Sequence, residues 1–185
     1  HIGLSEIDKA SSLELSRKFL DVIASGKEFT SIFISSVLNS VPFQKDREHI
    51  ACICAALCRP FTKLYACASS TAETGYRQVN GKAFHNESNS GNIAFRLEYE
   101  SGVRIGDFQE KPKVQKYHTK SEFYDLFSQF FRKVEITEMS GNVNAKCGNV
   151  RRIPWERLEE ALRFEFDLPY PDGSRMGLVD EAITA

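Results

Sequence analysis

The residues best suited to binding a metal ion or to redox chemistry are one histidine and three cysteines within ten positions, HIACICAALC at 49–58. A zinc site needs four such ligands converging on one point at about 2.0–2.3 Å. At about 100° per helical residue, Cys54 and Cys58 share one face, whereas His49 and Cys52 lie nearly opposite. One helix therefore cannot bring the four ligands together, and the sequence contains no C-x-x-C pair.

The spacing favours a packed helix over a reactive site. The residues between the cysteines are isoleucine, alanine and leucine, so this helix is apolar almost all round. A free cysteine in such a setting behaves as a small hydrophobe, and burial raises its pKa. We predict that 49–58 lies in the core, with no metal ion, no cofactor and no reactive thiol. If the protein is an enzyme of an unrecognised type, Cys147 in a predicted loop is the thiol to test.

Catalytic motifs are absent from the rest of the sequence. G-x-S-x-G and H-E-x-x-H do not occur. His85-Asn86-Glu87 matches half of a zinc-deaminase signature, but the P-C-x-x-C half is missing. We therefore predict no catalytic residue.

One local concentration of positive charge lies at 110–120, EKPKVQKYHTK. Lysines can neutralise phosphates and a tyrosine can stack on an unpaired base, which favours binding of RNA or single-stranded DNA. The alternative is a solvated linker between a strand and a helix. The predicted nucleic-acid-binding residues are Lys111, Lys113, Lys116, Tyr117, Lys120, Arg151 and Arg152.

A second candidate surface is apolar and lies in the C-terminal region. Phe164 falls off the helix face set by Trp155, Leu158 and Leu162, and the tail from Leu168 onward has few core-forming residues. Such a tail could lie along a partner or wrap its own core. The predicted partner-binding residues are Phe164, Tyr170, Met176 and Leu178.

Composition indicates a folded chain without a strong electrostatic preference. The 185 residues are 42% hydrophobic and carry a net charge of −1, and no apolar run approaches the roughly 18–20 residues that span a bilayer. Five cysteines, an odd number clustered in apolar sequence, favour reduced thiols and an intracellular location, cytoplasmic or nuclear. The sequence begins without methionine, so we expect a domain excised from a longer protein or a processed chain.

Periodicity predicts an α+β fold in a single domain over 1–185. Apolar spacing predicts helices at 12–25, 29–41, 46–58 and 61–68, which would make 1–70 a helical lobe or bundle. In 71–185, turns at Asn80-Gly81 and Ser101-Gly102 predict two hairpins, hence a mostly antiparallel sheet of about four strands. Thr119 and Glu122 form a capping box for a helix at 119–134, 140–149 reads as a loop, and a last helix begins at Pro154.

Without a catalytic constellation, the sequence favours a non-catalytic protein–protein interaction or assembly module of a larger intracellular protein. Its partner would be another protein or a second copy of itself, and the alternative is a nucleic-acid-binding module. We predict no contact with a membrane. A deep polar pocket lined by titratable groups with shifted pKa values would contradict the assembly module.

Overall fold

The computed structural model describes residues 8–72, 95–96, 100–106 and 113–185. These residues form an α+β fold in which helices cover one face of a mixed four-stranded sheet, and a small three-stranded sheet adjoins it. The helices are α1 (Lys9–Ala24), α2 (Gln44–Ala56), α3 (Lys120–Ser128), α4 (Trp155–Glu165) and α5 (Val179–Thr184), with a 3₁₀ turn at Leu38–Ser40.

Seven strands make up the two sheets: β1 (Ser31–Ser35), β2 (Lys63–Ser69), β3 (Phe95–Arg96), β4 (Val103–Gly106), β5 (Lys113–Lys116), β6 (Phe131–Met139) and β7 (Asn142–Val150). The larger sheet has the order β1-β2-β7-β6, in which β1 and β2 are parallel and the other pairs antiparallel. The smaller sheet, β3-β4-β5, is antiparallel throughout. The predicted α+β class and mostly antiparallel sheet are thus confirmed.

The predicted helical lobe at 1–70 is wrong, because two of its four helices are the strands β1 and β2. In β2 the buried residues Leu64, Ala66 and Ala68 alternate with partly exposed ones, which is the period of a strand. β2 pairs with β1 on one side and with β7, far away in sequence, on the other. That pairing overrides the local helical spacing.

The predicted loop at 140–149 is also wrong, since it is strand β7, and the end of the predicted helix at 119–134 belongs to β6. Ser140 and Gly141 both have positive φ, 53° and 76°, as in a two-residue hairpin turn. Val143, Ala145 and Cys147 then alternate toward the core. A helix of nine residues, α3, was correctly placed, and its Thr119–Glu122 capping box is present.

The predictions for the two hairpins and the tail have different outcomes. β3 and β4 are antiparallel neighbours on either side of Ser101-Gly102, as predicted. The hairpin predicted at Asn80-Gly81 lies outside the described residues. The tail, predicted to be extended, includes the short helix α5.

The main core lies between the sheet and α2, α3 and α4. Phe123, Phe127 and Phe130 pack there with Cys52 of α2 and Ala145 of β7. The interpretation of the cysteine-rich segment as core is confirmed, since Cys52 and Cys58 are buried and all five cysteines are free. In the described part of the chain, no helix is long and apolar enough to cross a membrane.

Helix α2 connects the parallel strands β1 and β2, so its first turn lies near the carboxyl end of β1. This placement matters for function, because ligands in open α/β sheets bind outside the carboxyl ends of parallel strands. The cleft described next lies at that end.

Candidate functional site: the His118 cleft

The carboxyl end of β2 is held by a network of polar side chains. Asn39 Oδ1 accepts a hydrogen bond from the Ser69 N–H at 2.8 Å, and Asn39 Nδ2 donates to Ser69 Oγ at 3.1 Å. Gln115 Nε2 donates to the same Oγ at 3.0 Å, and Ser70 Oγ donates to Glu138. This network fixes the backbone of Ser69, to which the His118 backbone is hydrogen-bonded.

His118 is buried beside this strand end. Its N–H donates to the Ser69 carbonyl oxygen at 2.8 Å, and its carbonyl accepts from the Thr71 N–H at 3.0 Å. The side chain is 2% exposed and meets the Phe123 ring edge-on, with centroids 5.3 Å apart. Within the described residues neither ring nitrogen has a hydrogen-bond partner. An unsatisfied buried polar group is costly, so it requires an explanation.

His118 lines a cavity of about 190 Å³, which we call the His118 cleft. Helix α2 forms one wall and α3 the other. The lining residues are mostly polar or charged: Gln44, Arg47, Glu48, Glu100, His118, Glu122, Asp125, Leu126 and Gln129.

Lys116 lies fully buried next to the cleft and is neutralised by two carboxylates. Its Nζ donates to Glu122 Oε1 at 2.8 Å and lies 3.2 Å from Glu100 Oε1. A second hydrogen bond goes to the carbonyl oxygen of Ser101. The two hydrogen bonds and the two nearby carboxylates offset the cost of burying this charge.

Arg47 is the second buried cation. Its guanidinium pairs with Glu100 and donates through Nη1 to the carbonyl oxygens of Val41 and Pro42, at 2.8 and 2.9 Å. Glu100 and Glu122 thus balance Arg47 and Lys116. Two carboxylates of the lining remain: Glu48, which lies 3.9 Å from Arg157 Nη2, and the exposed Asp125, so the lining residues themselves carry a negative balance.

The pKa values follow from this arrangement. Burial, and then the neighbouring Arg47 and Lys116, lower the pKa of His118 to about 3. At neutral pH its ring is therefore uncharged, with one N–H donor and one acceptor nitrogen. Burial disfavours the ionised form of Glu122, but hydrogen bonds from Lys116 and Thr119 outweigh it and lower the pKa of this carboxyl.

The structure does not assemble the predicted nucleic-acid surface. Lys116 is 0% exposed and Tyr117 is 4% exposed. The Tyr117 ring lies under the Arg104 guanidinium, whose central carbon is 4.8 Å from the ring centroid. Neither Lys116 nor Tyr117 is therefore available to a phosphate or a base, because both side chains are buried against partners within the fold.

The other members of that predicted set lie apart from one another. Lys113 and Lys120 are exposed on β5 and α3, and Lys111 lies outside the described residues. Arg151 donates to the carbonyl oxygens of Ser128 and Phe131, at 3.1 and 3.3 Å. Arg152 is exposed just beyond β7.

Two of the predicted partner-binding residues are buried instead. Tyr170 is 8% exposed and Leu178 is 1% exposed. Leu178 belongs to a small apolar cluster with Leu20 of α1, and Met176 packs against that cluster. The tail therefore wraps its own core, the alternative stated above. Phe164 is half-exposed, and its ring centroid lies 4.8 Å from that of His49.

Burial keeps three of the thiols protonated, and the described residues contain no candidate metal centre. Cys147 lies in β7 and not in a loop, and burial raises the pKa of its thiol to about 12. Burial also raises the pKa of Cys54 to about 12 and of Cys58 to about 11. In the described ranges no group of three or more His, Cys, Asp or Glu side chains could hold a metal ion.

Sequence reasoning missed the cleft because its residues are far apart in the chain. Arg47 and Glu100 are 53 positions apart, and only the fold brings them together. One local signal existed: Glu122 of the capping box lies six positions after Lys116, with His118 between them.

The chain is similar to known proteins in structure but not in sequence. No family model matches the chain, and no curated protein matches it in sequence. A SAM-dependent methyltransferase structure from Methanosarcina mazei is similar at 16% identity and a TM-score of 0.42, covering 67% of this chain and 61% of that one. The CcbJ methyltransferase structure from Streptomyces caelestis is similar at 9% identity and a TM-score of 0.44, covering 68% and 59%. This chain therefore spans about three fifths of either structure's length.

These findings contradict the predicted non-catalytic interaction or assembly module, together with its scaffold and oligomerisation roles. Both similar structures are of enzymes. The described residues also contain a polar pocket with a strongly shifted histidine pKa, the feature expected to count against such a module. The nucleic-acid alternative loses Lys116 and Tyr117 as surface residues, because both are buried. At identities this low, the similarities define no activity for this chain.

Proposed function

We propose that the protein binds a small organic cation with N–H donors, such as a guanidinium or primary ammonium compound, in the His118 cleft. The observation that supports this most directly is His118, which is 2% exposed, lines a cavity and has no hydrogen-bond partner among the described residues. A bound ligand with a donor group would satisfy the acceptor nitrogen of the ring.

The charge of the lining favours a cation. Glu48 and Asp125 remain after Glu100 and Glu122 are paired with Arg47 and Lys116, and only Glu48 has a further cation nearby, Arg157 at 3.9 Å outside the lining. An anion would meet these two carboxylates without a free cation in the described lining to offset them. A neutral His118 adds no repulsion toward a cation, because burial keeps its pKa far below 7.

The position in the sheet supports the same proposal. His118 of the cleft is hydrogen-bonded to the carboxyl end of β2, which is parallel to β1, and small molecules bind at such strand ends in open α/β sheets. Buried, fully paired charges around it keep the walls rigid, which reduces the ordering cost of binding.

An intracellular location stays a proposal, in keeping with the five free cysteines.

The test is a titration followed by ¹H–¹⁵N NMR with methylguanidinium, putrescine, tetramethylammonium and sulfate. We expect methylguanidinium and putrescine to shift amides around His118 and Glu122. Tetramethylammonium, a cation without N–H donors, should bind several-fold more weakly, and sulfate should not bind. Equal binding of all three cations would mean that charge attraction alone, without a hydrogen bond to His118, accounts for binding, and this would overturn the proposal.

Two variants and one control locate the site. His118→Phe and Asp125→Asn should each weaken methylguanidinium binding, by at least about tenfold and about threefold respectively. His49→Phe is the matched control, because His49 is also buried without a hydrogen-bond partner but does not line the cleft. Should His49→Phe weaken binding as much as His118→Phe, the ligand is not in the His118 cleft. Asp125 is exposed, so its replacement tests the proposal even if His118→Phe fails to fold.

S-adenosylmethionine forms a separate arm of the titration, since the Methanosarcina mazei structure is of a SAM-dependent enzyme. It carries both an ammonium and a sulfonium charge. Binding that His118→Phe abolishes would place it in the cleft and support the proposal. Binding that His118→Phe leaves unchanged, with no response to methylguanidinium, would overturn the proposal and assign the protein a different ligand site.

A further inference from the structure

A second concave site lies on another face of α2 and has the opposite character. It has a volume of about 330 Å³, within the range of small-molecule pockets. We call it the Glu165 groove. Its lining is apolar apart from Ser16, Glu165 and the thiol of Cys54. The lining residues are Ser16, Ile50, Ile53, Cys54, Glu165, Phe166, Leu168 and Met176.

Glu165 is the one ionisable carboxyl in this lining, at the last position of α4. It is partly buried, and among the described residues its side chain makes no hydrogen bond and no ion pair. By contrast, Glu159 on the same helix pairs with Arg163 at 2.6 Å. A carboxyl held in apolar surroundings without a partner is costly for the fold, which is a common sign of a ligand site.

We propose that the Glu165 groove binds an amphipathic primary amine, with its ammonium group on Glu165 and its alkyl chain along Ile50, Ile53 and Met176. The charge complementarity selects a cation, and the apolar walls select an alkyl body. This site is independent of the proposed function, because none of its lining residues lines the His118 cleft.

The groups that face Glu165 set the conditions for binding. From α2 these are Asp46, which raises the pKa of Glu165, and the thiol of Cys54, which stays protonated. The contacts from α1 and the tail, Ser16 and Met176 among them, do not titrate. Burial and Asp46 raise the pKa of Glu165 to about 7, so at pH 8 most of it is ionised, while an alkylamine is still protonated.

The experiment is calorimetric titration at pH 8 with butylamine, hexylamine and octylamine, with hexanol and hexanoate as reference compounds. We expect affinity to rise about threefold to fourfold for each buried methylene group. Hexylamine should bind at least tenfold more tightly than hexanol, and hexanoate should not bind. NMR shifts of the Ile50 and Ile53 methyl groups should accompany binding.

Glu165→Gln should reduce hexylamine affinity to that of hexanol and leave hexanol binding unchanged. Glu159→Gln is the matched control, because it removes a partly exposed carboxylate outside the groove from the same helix and should change neither affinity. The proposal is overturned if hexylamine binds no better than hexanol, if Glu165→Gln has no effect, or if Glu159→Gln has the same effect. Methylguanidinium titration of the His118 cleft should be unaffected by Glu165→Gln, which separates the two proposals.

Discussion

The two concave sites differ in which group is left without a partner. In the His118 cleft Glu100 and Glu122 balance the buried cations, and the group without a partner among the described residues is a neutral imidazole. In the Glu165 groove the lining is apolar, and that group is a carboxyl. Burial disfavours the charged form in both places, so it lowers the pKa of the base and raises that of the acid. The same physical cause therefore gives the two sites opposite dependence on pH.

The largest effect is expected from breaking the charge balance of the cleft. Lys116→Met leaves Glu122 without its cation in a partly buried setting. We expect the free energy of unfolding to fall by about 3–5 kcal/mol, measured by urea denaturation. Adding Glu122→Gln should restore part of this loss, because the uncompensated carboxylate is gone.

The matched control is Lys133→Met. Lys133 pairs with Glu135 at 3.1 Å, but both side chains are largely exposed. The expected loss is below about 1 kcal/mol. A similar loss for Lys133→Met and Lys116→Met would mean that burial of an ion pair does not determine how much it contributes to the free energy of unfolding.

A smaller loss is expected from Gly102→Ala, at the turn beside Lys116. Gly102 has a φ of 79°, and an added Cβ would collide with the carbonyl oxygen of Tyr117. We expect a loss of about 3 kcal/mol, with amide shifts confined to the cleft side of the molecule. Gly173→Ala is the comparison, because its φ is 83° but no atom lies within 4 Å of the added Cβ, and its cost should be about 1 kcal/mol. Equal costs would show that the close approach to Tyr117 is unimportant.

His118 should make the protein sensitive to acid. Below about pH 6.5 the unfolded chain takes up a proton that folded His118 does not accept until about pH 3, so stability falls as the pH falls through this window. Between pH 7 and pH 5 the contribution is about 2 kcal/mol. Denaturation at both pH values should show that His118→Phe removes it. His49→Phe should remove less, because Glu160 and Asp46 oppose the effect of burial on the pKa of His49.

Glu165 should act in the opposite direction and more weakly. Its folded pKa is raised, so the neutral carboxyl contributes stability below its ordinary pKa of 4.5, and this is lost as the pH rises through about 7. Allowing for partial exposure, we expect a loss of about 1 kcal/mol between pH 4.5 and pH 8. The same denaturation series should show that Glu165→Gln removes it. If Glu165→Gln instead steepens the loss at high pH, the carboxyl has an unrecognised cationic partner.

Parts of the fold could be predicted from local sequence. The Thr119–Glu122 capping box, the apolar cysteine helix and the turn at Ser101-Gly102 depend on neighbouring residues, and all three are present. The strands β1 and β7 could not be predicted in the same way. The spacing of Ile32, Phe33 and Val37 also suits a helix, and pairing with β2 decides for the strand.

The candidate site was predicted least well, for a related reason. The sequence showed a lysine and a tyrosine next to His118, and it was reasonable to expect Lys116 in solvent. Only Glu100, 16 positions before Lys116, and Glu122 on the next helix make its burial possible. A buried charge depends on partners that the sequence does not place.

The sequence by itself determined the class of fold, the cysteine-rich core helix and the start of α3, because each follows from hydrophobic spacing or capping within about ten residues. Tertiary structure alone decided that His118 faces a cleft with balanced charges and that Glu165 lies in an apolar groove without a partner. The reason is that desolvation and pairing energies depend on the separation of groups in space, which the order of residues along the chain does not fix.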